Sequence, residues 1–309
     1  MDLWAMADLR TPWCLRVVAT LRVAEHIAAG TTEVDGLAAA AGCDREALHA
    51  VLAHLARVGV FAEVAPGRFA LRDAAQPLLD PAMHLGLDLR GIGGRMTDVW
   101  STLPAYVRTG RSAYSQRFGR TFWEAIEADA ELAASFDALM GPLGHGAPDA
   151  RFAVTGGWAP VRTVVDVGGG TGAFLAALLR LHPHLRGTLV DLPRTVARAD
   201  FGEVAGRATA AGQSFFDPLP AGADLYLLRK VLNDWPDGDA AAILRRCAEA
   251  AQPDGRVVIL GGVEARDLSV EMLLAGGRHR DLQALTALLA GAGLAAAAVH
   301  GHTLECRPA

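Results

Sequence analysis

Val165-Asp166-Val167-Gly168-Gly169-Gly170-Thr171-Gly172-Ala173 decides the fold: an apolar strand runs into a glycine loop that opens a helix. The glycines let the backbone turn sharply and approach a ligand where a side chain would intrude. Asp191 follows Gly168 by 23 residues, at the end of the next strand, where a carboxylate can accept both hydroxyls of a ribose. The loop alone leaves the ligand open. Gly168, Gly170 and Ala173 also satisfy the dinucleotide pattern, so S-adenosylmethionine (SAM), a nicotinamide cofactor and a purely structural turn all remain at this point.

Working outward, strand, loop and helix alternate. Residues 161–167 read as a strand, Ala173–Leu181 as a helix, 188–191 and 223–228 as strands, 239–251 as a helix and Arg256–Leu260 as a strand. Alternation at these lengths implies an α/β fold with a mostly parallel, doubly wound Rossmann-like sheet. Residues 295–309 are short enough for a terminal antiparallel hairpin. The N-terminal third reads differently. Apolar residues recur at helical spacing over 15–29, Thr32 precedes a helix over 34–41, and Asp44 can cap a third over 45–58. Two short runs, 60–64 and Arg68–Leu71, flank the hairpin turn Ala65-Pro66-Gly67. Three helices and a hairpin make a winged helix. Its third helix offers only Arg45, His49, His54 and Arg57, without a basic stripe, which argues against DNA reading and for packing on a second copy of the chain. The expected organisation is a mostly helical winged-helix dimerisation domain over 1–95, a helical connection lining a substrate pocket over 96–150, and the Rossmann-like domain over 151–309.

Composition narrows the classes. A chain of 309 residues holds two cores. Its 51% apolar fraction is rich in alanine, and no run approaches the ~20 apolar residues of a membrane span. No secretory signal pattern opens the sequence. Cys14, Cys43, Cys247 and Cys306 are scattered, as reduced thiols in a cytoplasmic protein would be. A net charge of -5 gives no footprint for nucleic acid or membrane. No His, Cys, Asp or Glu cluster has metal-ligand spacing, so a metal-independent protein is expected. Lys230 is the single lysine.

SAM is favoured over nicotinamide because the Rossmann unit is C-terminal, ends in a hairpin, and is followed by segments suited to adenine and to a methyl acceptor. Several segments then carry a family likeness: Asp8-Leu9-Arg10-Thr11-Pro12, Val58-Gly59-Val60-Phe61, Phe122-Trp123-Glu124, Phe136-Asp137-Ala138-Leu139-Met140, the glycine loop, Val190-Asp191-Leu192-Pro193, Phe215-Phe216-Asp217-Pro218-Leu219-Pro220 and Asn233-Asp234-Trp235. In this order the whole chain resembles the bacterial small-molecule, natural-product O-methyltransferases, relatives of the plant caffeate-type and anthracycline-tailoring enzymes. The apolar N-terminal helices predict a homodimer joined through that domain, and the resemblance implies a SAM site with S-adenosylhomocysteine (SAH) as product. It places Gly168 and Gly170 at the methionine part, Asp191 at the ribose with Leu192 beside it, Phe215 on the adenine face and Ser214 at its edge. Arg229 stands where many relatives carry a cofactor-side lysine. Phe136 and Met140 would cover the cofactor and acceptor pocket.

The pattern breaks at the chemistry. Many relatives place a histidine immediately before Asp-Trp to take the phenolic proton; here that residue is Asn233, and an amide is no base. Gly261 and His279 stand where relatives often carry the supporting glutamates. The sequence therefore predicts an O-methyltransferase for a hydroxylated aromatic or polyketide-type product, working by positioning, with Asn233 orienting the acceptor and His279 as a replacement base. Two other readings stay open. One is a methyltransferase-like enzyme that binds SAM or SAH and hydroxylates, decarboxylates or rearranges its substrate; the other is a winged-helix regulator.

Overall fold

The computed structural model describes residues 2–261 and 270–309. The chain divides into two compact units, Met1–Asp98 and Val99–Ala309.

The first unit has the helices and hairpin expected, with one more break than the spacing suggests. The apolar run 15–29 forms two helices, Arg10–Thr20 and Val23–Ala28, separated at Arg22, whose φ of 55° is left-handed. Burial explains the break. On one straight helix Val18 and Val23, five residues apart, would point about 140° away from each other. With the break both are fully buried, together with Ala19, Ala24 and Ile27, in a single core. Helices Val34–Ala41 and Arg45–Arg57 follow, the second capped by Asp44, whose side chain accepts from Ala47 N at 2.8 Å. Strands β1 (Phe61–Ala65) and β2 (Arg68–Leu71) pair antiparallel, and Phe61 and Phe69 close the helical core.

In the second unit the strands are β3 (Thr163–Val167), β4 (Arg186–Asp191), β5 (Ala208–Gly212), β6 (Leu225–Arg229), β7 (Arg256–Leu260), β8 (Leu294–His300) and β9 (Thr303–Pro308). Among the described residues they form one sheet in the order β5-β4-β3-β6-β7-β9-β8. The first five strands in the sequence run parallel; β9 is antiparallel to β7 and to β8, the terminal hairpin expected. Strand β5 was not legible, since Ala-Thr-Ala-Ala-Gly is poor in the side chains that favour strands. Its place comes from pairing with β4 at the sheet edge.

Val164, Val165 and Val167 of β3 and Leu225 to Leu228 of β6 are almost wholly buried, as strands covered on both faces are. Helix Ala173–Leu181 packs Leu175, Leu178 and Leu179 on one face, and helix Asp237–Ala250 packs Ile243, Leu244 and Cys247 on the other. The helix–sheet approach is close: a Cβ on Gly187 would stand 2.5 Å from Leu175 Cδ1. Strand order reverses between β3 and β6, so the crevice at their carboxyl ends is the natural ligand position of such a sheet. Helices Phe122–Ala128 and Ala130–Met140 also belong to this unit. Thr121 and Glu124 form a reciprocal capping box on the first, and Asp129 caps the second through Glu131 N and Leu132 N. No helix of the described residues is long and apolar enough to cross a membrane.

Leu175 is fully buried where helix meets sheet. Leu175→Ala is expected to lower the unfolding free energy by about 2–5 kcal/mol, read from urea denaturation followed by circular dichroism.

Candidate active site

At the carboxyl end of β3 the chain enters the glycine loop, and Gly168 N donates to Val190 O at 2.8 Å, stitching the loop to β4. Two glycines there are required by contact. A Cβ on Gly168, already at φ 71°, would come within 2.8 Å of Val231 Cγ2. One on Gly169 would come within 2.4 Å of Asp166 Oδ2. The loop therefore lies directly over the Asp166 carboxyl.

Asp166 is 1% exposed, and neither carboxylate oxygen has a hydrogen-bond partner among the described residues. Burial raises its pKa to about 7, with the Asp191 charge adding to the rise and Arg229 opposing it. Asp191, at the end of β4, accepts from Gly170 N through Oδ2 and from Leu192 N through Oδ1, both at 2.7 Å. Burial raises it to about 6, against the lowering influence of those two amides. Arg229, at the end of β6, holds its guanidinium over the Phe174 ring at 5.1 Å.

These groups floor a cleft of about 300 Å³ lined also by Gly168, Gly170, Leu192, Ser214, Phe215, Phe136 and Met140. One wall is aromatic. Trp123 and Trp235 stack with centroids 5.4 Å apart and planes 13° apart. Phe136 meets Trp123 edge-on at 5.4 Å, and Phe215 meets Trp235 edge-on at 5.6 Å. Trp123 Nε1 donates to Asp234 O at 3.4 Å, tying the helix that carries it to the turn after β6. Ser214 Oγ is engaged locally, accepting from Phe216 N at 3.2 Å. Lys230 reaches the same cleft from a left-handed backbone, φ 59°, with its N–H donating to Leu260 O.

The structure thus brings together Gly168, Gly170, Asp191, Leu192, Ser214, Phe215, Arg229, Phe136 and Met140. It does not bring Asn233 or His279 to the cleft lining. Asn233 faces a small adjoining pocket with Lys230 and Arg280, and its backbone carbonyl accepts from Arg278 N at 2.8 Å. His279 is half-buried, and its Nε2 is buried without a partner among the described residues. The sequence reading missed Asp166, Trp123, Asp234 and Trp235 as cleft residues. For Asp166 a signal existed: a carboxylate inside an apolar strand is costly unless something uses it.

The comparisons with known proteins bear on this geometry. The O-methyltransferase domain family matches residues 100–295. The chain belongs to the O-methyltransferase family. Over 97% of its length it is 42% identical to the 2,7-dihydroxy-5-methyl-1-naphthoate 7-O-methyltransferase of Streptomyces carzinostaticus, covering 94% of that protein. It is 40% identical to the aclacinomycin 10-hydroxylase of Streptomyces purpurascens, over 94% of this chain and 83% of the other. A crystal structure of an O-methyltransferase from neocarzinostatin biosynthesis, with SAM and 2-hydroxy-5-methyl naphthoic acid, superposes with a TM-score of 0.90 at 41% identity, over 100% of this chain and 99% of that one. The Rossmann-like fold with an N-terminal helical domain and the dependence on SAM stand with the family.

SAM fits the cleft chemically. The orphaned Asp166 oxygens call for donors or positive charge, which a cationic amino acid sulfonium brings. Both carboxyls hold protons in the free protein below about pH 6 to 7, and a ligand that needs the carboxylates must displace them. Affinity therefore weakens as pH falls through their pKa values. The dissociation constant of SAM, measured by calorimetry between about pH 5 and about pH 8, is expected to tighten with rising pH. Asp166→Asn is expected to weaken binding and flatten that dependence; a wild-type affinity independent of pH would contradict the assignment.

Proposed function

We propose that this enzyme transfers the methyl group of SAM to a phenolic hydroxyl of a fused-ring aromatic acid of the hydroxynaphthoate class. The observation that carries this reading is the stacked Trp123–Trp235 pair forming a flat wall beside the glycine loop, within one cleft. The dihydroxy-methyl-naphthoate that the Streptomyces carzinostaticus relative methylates and the hydroxy-methyl naphthoic acid bound in the similar crystal structure support it.

In this reading Gly168 and Gly170 leave room for the methionine part of the cofactor, with Asp166 taking its amino group. Asp191 accepts from the ribose hydroxyls beside Leu192. Phe215 covers the adenine, with Ser214 at its edge, and Arg229 closes the far side against Phe174. Phe136, Met140 and Trp123 hold the acceptor ring. When bound, SAM supplies an electrophilic methyl carbon whose bonding pair returns to sulfur, leaving SAH. Asn233 and His279 stand off the cleft lining, and this reading assigns them neither the acceptor-orienting nor the base role read from the sequence.

Magnitudes favour a working enzyme without the histidine. Alignment of two bound reactants contributes about 7–11 kcal/mol, whereas a general base contributes roughly 10²- to 10⁴-fold, about 3–5 kcal/mol. The aromatic wall and the cofactor floor do the aligning.

Incubation with methyl-labelled SAM and a panel of hydroxynaphthoic acids is expected to give a labelled methyl ether and SAH. Consumption of acceptor into an unlabelled hydroxylated or decarboxylated product would instead favour the reading represented by the hydroxylase relative.

The same reading makes the enzyme a cytoplasmic homodimer. Leu3, Trp4, Met6, Leu9 and Trp13 of the N-terminal unit leave 43% to 87% of their surface exposed, an apolar face of the kind a second copy covers. Sedimentation at micromolar concentration is expected to give a dimer, and a dimer-weakening Trp4→Glu variant; a monomeric wild type would contradict it.

A further inference from the structure

Among the described residues five carboxylates line the cleft. Asp166 lies beneath Gly169, Asp191 accepts two backbone amides, Asp137 is paired with Arg198, and Glu127 is exposed. Asp234 remains. It lines the cleft beside Trp235 in sequence, its backbone carbonyl accepts from Trp123 Nε1, and its carboxylate meets no hydrogen-bond donor among the described residues.

We propose that Asp234 is the catalytic residue that takes the acceptor's phenolic proton, in place of the base that Asn233 cannot be. The inference rests on the methyl-transfer reading above.

The turn 232–235 is held by bonds to its backbone carbonyls. The buried Arg280 guanidinium donates through Nη1 to Leu232 O at 2.7 Å, through Nη2 to Trp235 O at 2.8 Å, and through Nε to Asp237 Oδ1 at 2.9 Å. Arg278 N bonds Asn233 O on the same side, and a Cβ on Gly277 would stand 2.4 Å from that oxygen. The Asn233 carbonyl is thereby fixed against Arg278 and Gly277, and Asp234 lines the cleft while Asn233 does not.

Among the described residues, ionisable groups on the elements around this turn are Arg229 at the end of β6, Lys230, Glu124 and Glu127 on helix Phe122–Ala128, Asp237, Asp239, Arg245, Arg246 and Glu249 on helix Asp237–Ala250, Glu271 on helix Val270–Ala275, and Arg278, His279 and Arg280. Among them it is the Lys230 charge that acts on Asp234, favouring the carboxylate, while burial raises its pKa to about 7. A base with that value is half ionised near neutrality and is strong enough to receive a proton as the phenolic oxygen reacts. In the step, the phenolic O–H bond breaks, its electron pair stays on the oxygen that bonds the methyl carbon, and the proton passes to a carboxylate oxygen of Asp234. It leaves to water after product release.

The test uses full-length enzyme with SAM and a hydroxynaphthoic acid, both saturating, so that the cofactor carboxylates are occupied throughout the pH range. Wild-type kcat is expected to rise through a single limb near pH 7. Asp234→Asn is expected to lose about 10²- to 10⁴-fold in kcat and to lose the limb, with SAH affinity unchanged. Its deficit shrinks with acceptors of more acidic phenol. Independently of turnover, the infrared spectrum of the enzyme–SAH complex is expected to show a protonated-carboxyl band that titrates near pH 7 and is missing in Asp234→Asn. His145→Gln, which removes the histidine lining the cleft, is expected to keep the limb. Product formed with the limb intact in Asp234→Asn, or lost in His145→Gln, overturns the inference alone. A wild type that forms no methylated product overturns the reading beneath it and this inference with it.

Discussion

A carboxyl group buried under a loop with nothing to bond is the constraint on which the rest of this structure depends. Asp166 sits on a central strand whose neighbours are valines, and its oxygens go unmatched among the described residues. Leaving such a group unpaired costs on the order of 1–3 kcal/mol. Gly169 has no side chain because any would collide with that carboxyl. Asp191, one strand away, carries two backbone amides and stays ready for further donors. The two acids make the floor of the cleft selective for a ligand with hydroxyls and positive charge, and SAM is such a ligand.

The wall opposite is selective in a different way. Trp123 comes from a helix set by the Thr121–Glu124 capping box, whereas Trp235 comes from the turn after β6 that Arg280 fastens. Their stacking joins two parts of the unit distant in sequence and gives a flat, apolar surface where an aromatic ring can lie. Alignment then supplies the larger part of the rate, since the cofactor arrives activated, and a base adds to it. Loss of the family's histidine at Asn233 is tolerable on this account because the aligning surfaces survive.

Much of this was legible in the sequence and some was not, for physical reasons. The glycine loop, the helix Ala173–Leu181 and the strand Arg256–Leu260 stand where their spacing put them, because parallel strands and the helices on them are written in local apolar runs. Strand β5 was silent, since an edge strand of alanines is specified by its neighbour and not by its own side chains. The break at Arg22 was silent too; it follows from which side chains share a core. At the site, a residue's position in a motif did not reveal its direction. Asn233 was singled out because relatives carry their base there, yet Arg278, Gly277 and Arg280 hold its segment, and it is the next residue that lines the cleft. Such tertiary fastening lies some 45 residues downstream, beyond any local pattern.

The central claim is that the loop over Asp166, with Asp191 beside it, holds an adenosyl amino acid. Calorimetric titration of the folded enzyme with SAH tests it most directly. One site per chain is predicted, with binding abolished by Gly169→Val, which drives a side chain into the Asp166 carboxyl while leaving the aromatic wall untouched. Absence of any heat of association on well-folded wild-type protein, or undiminished affinity in the variant, would contradict the account.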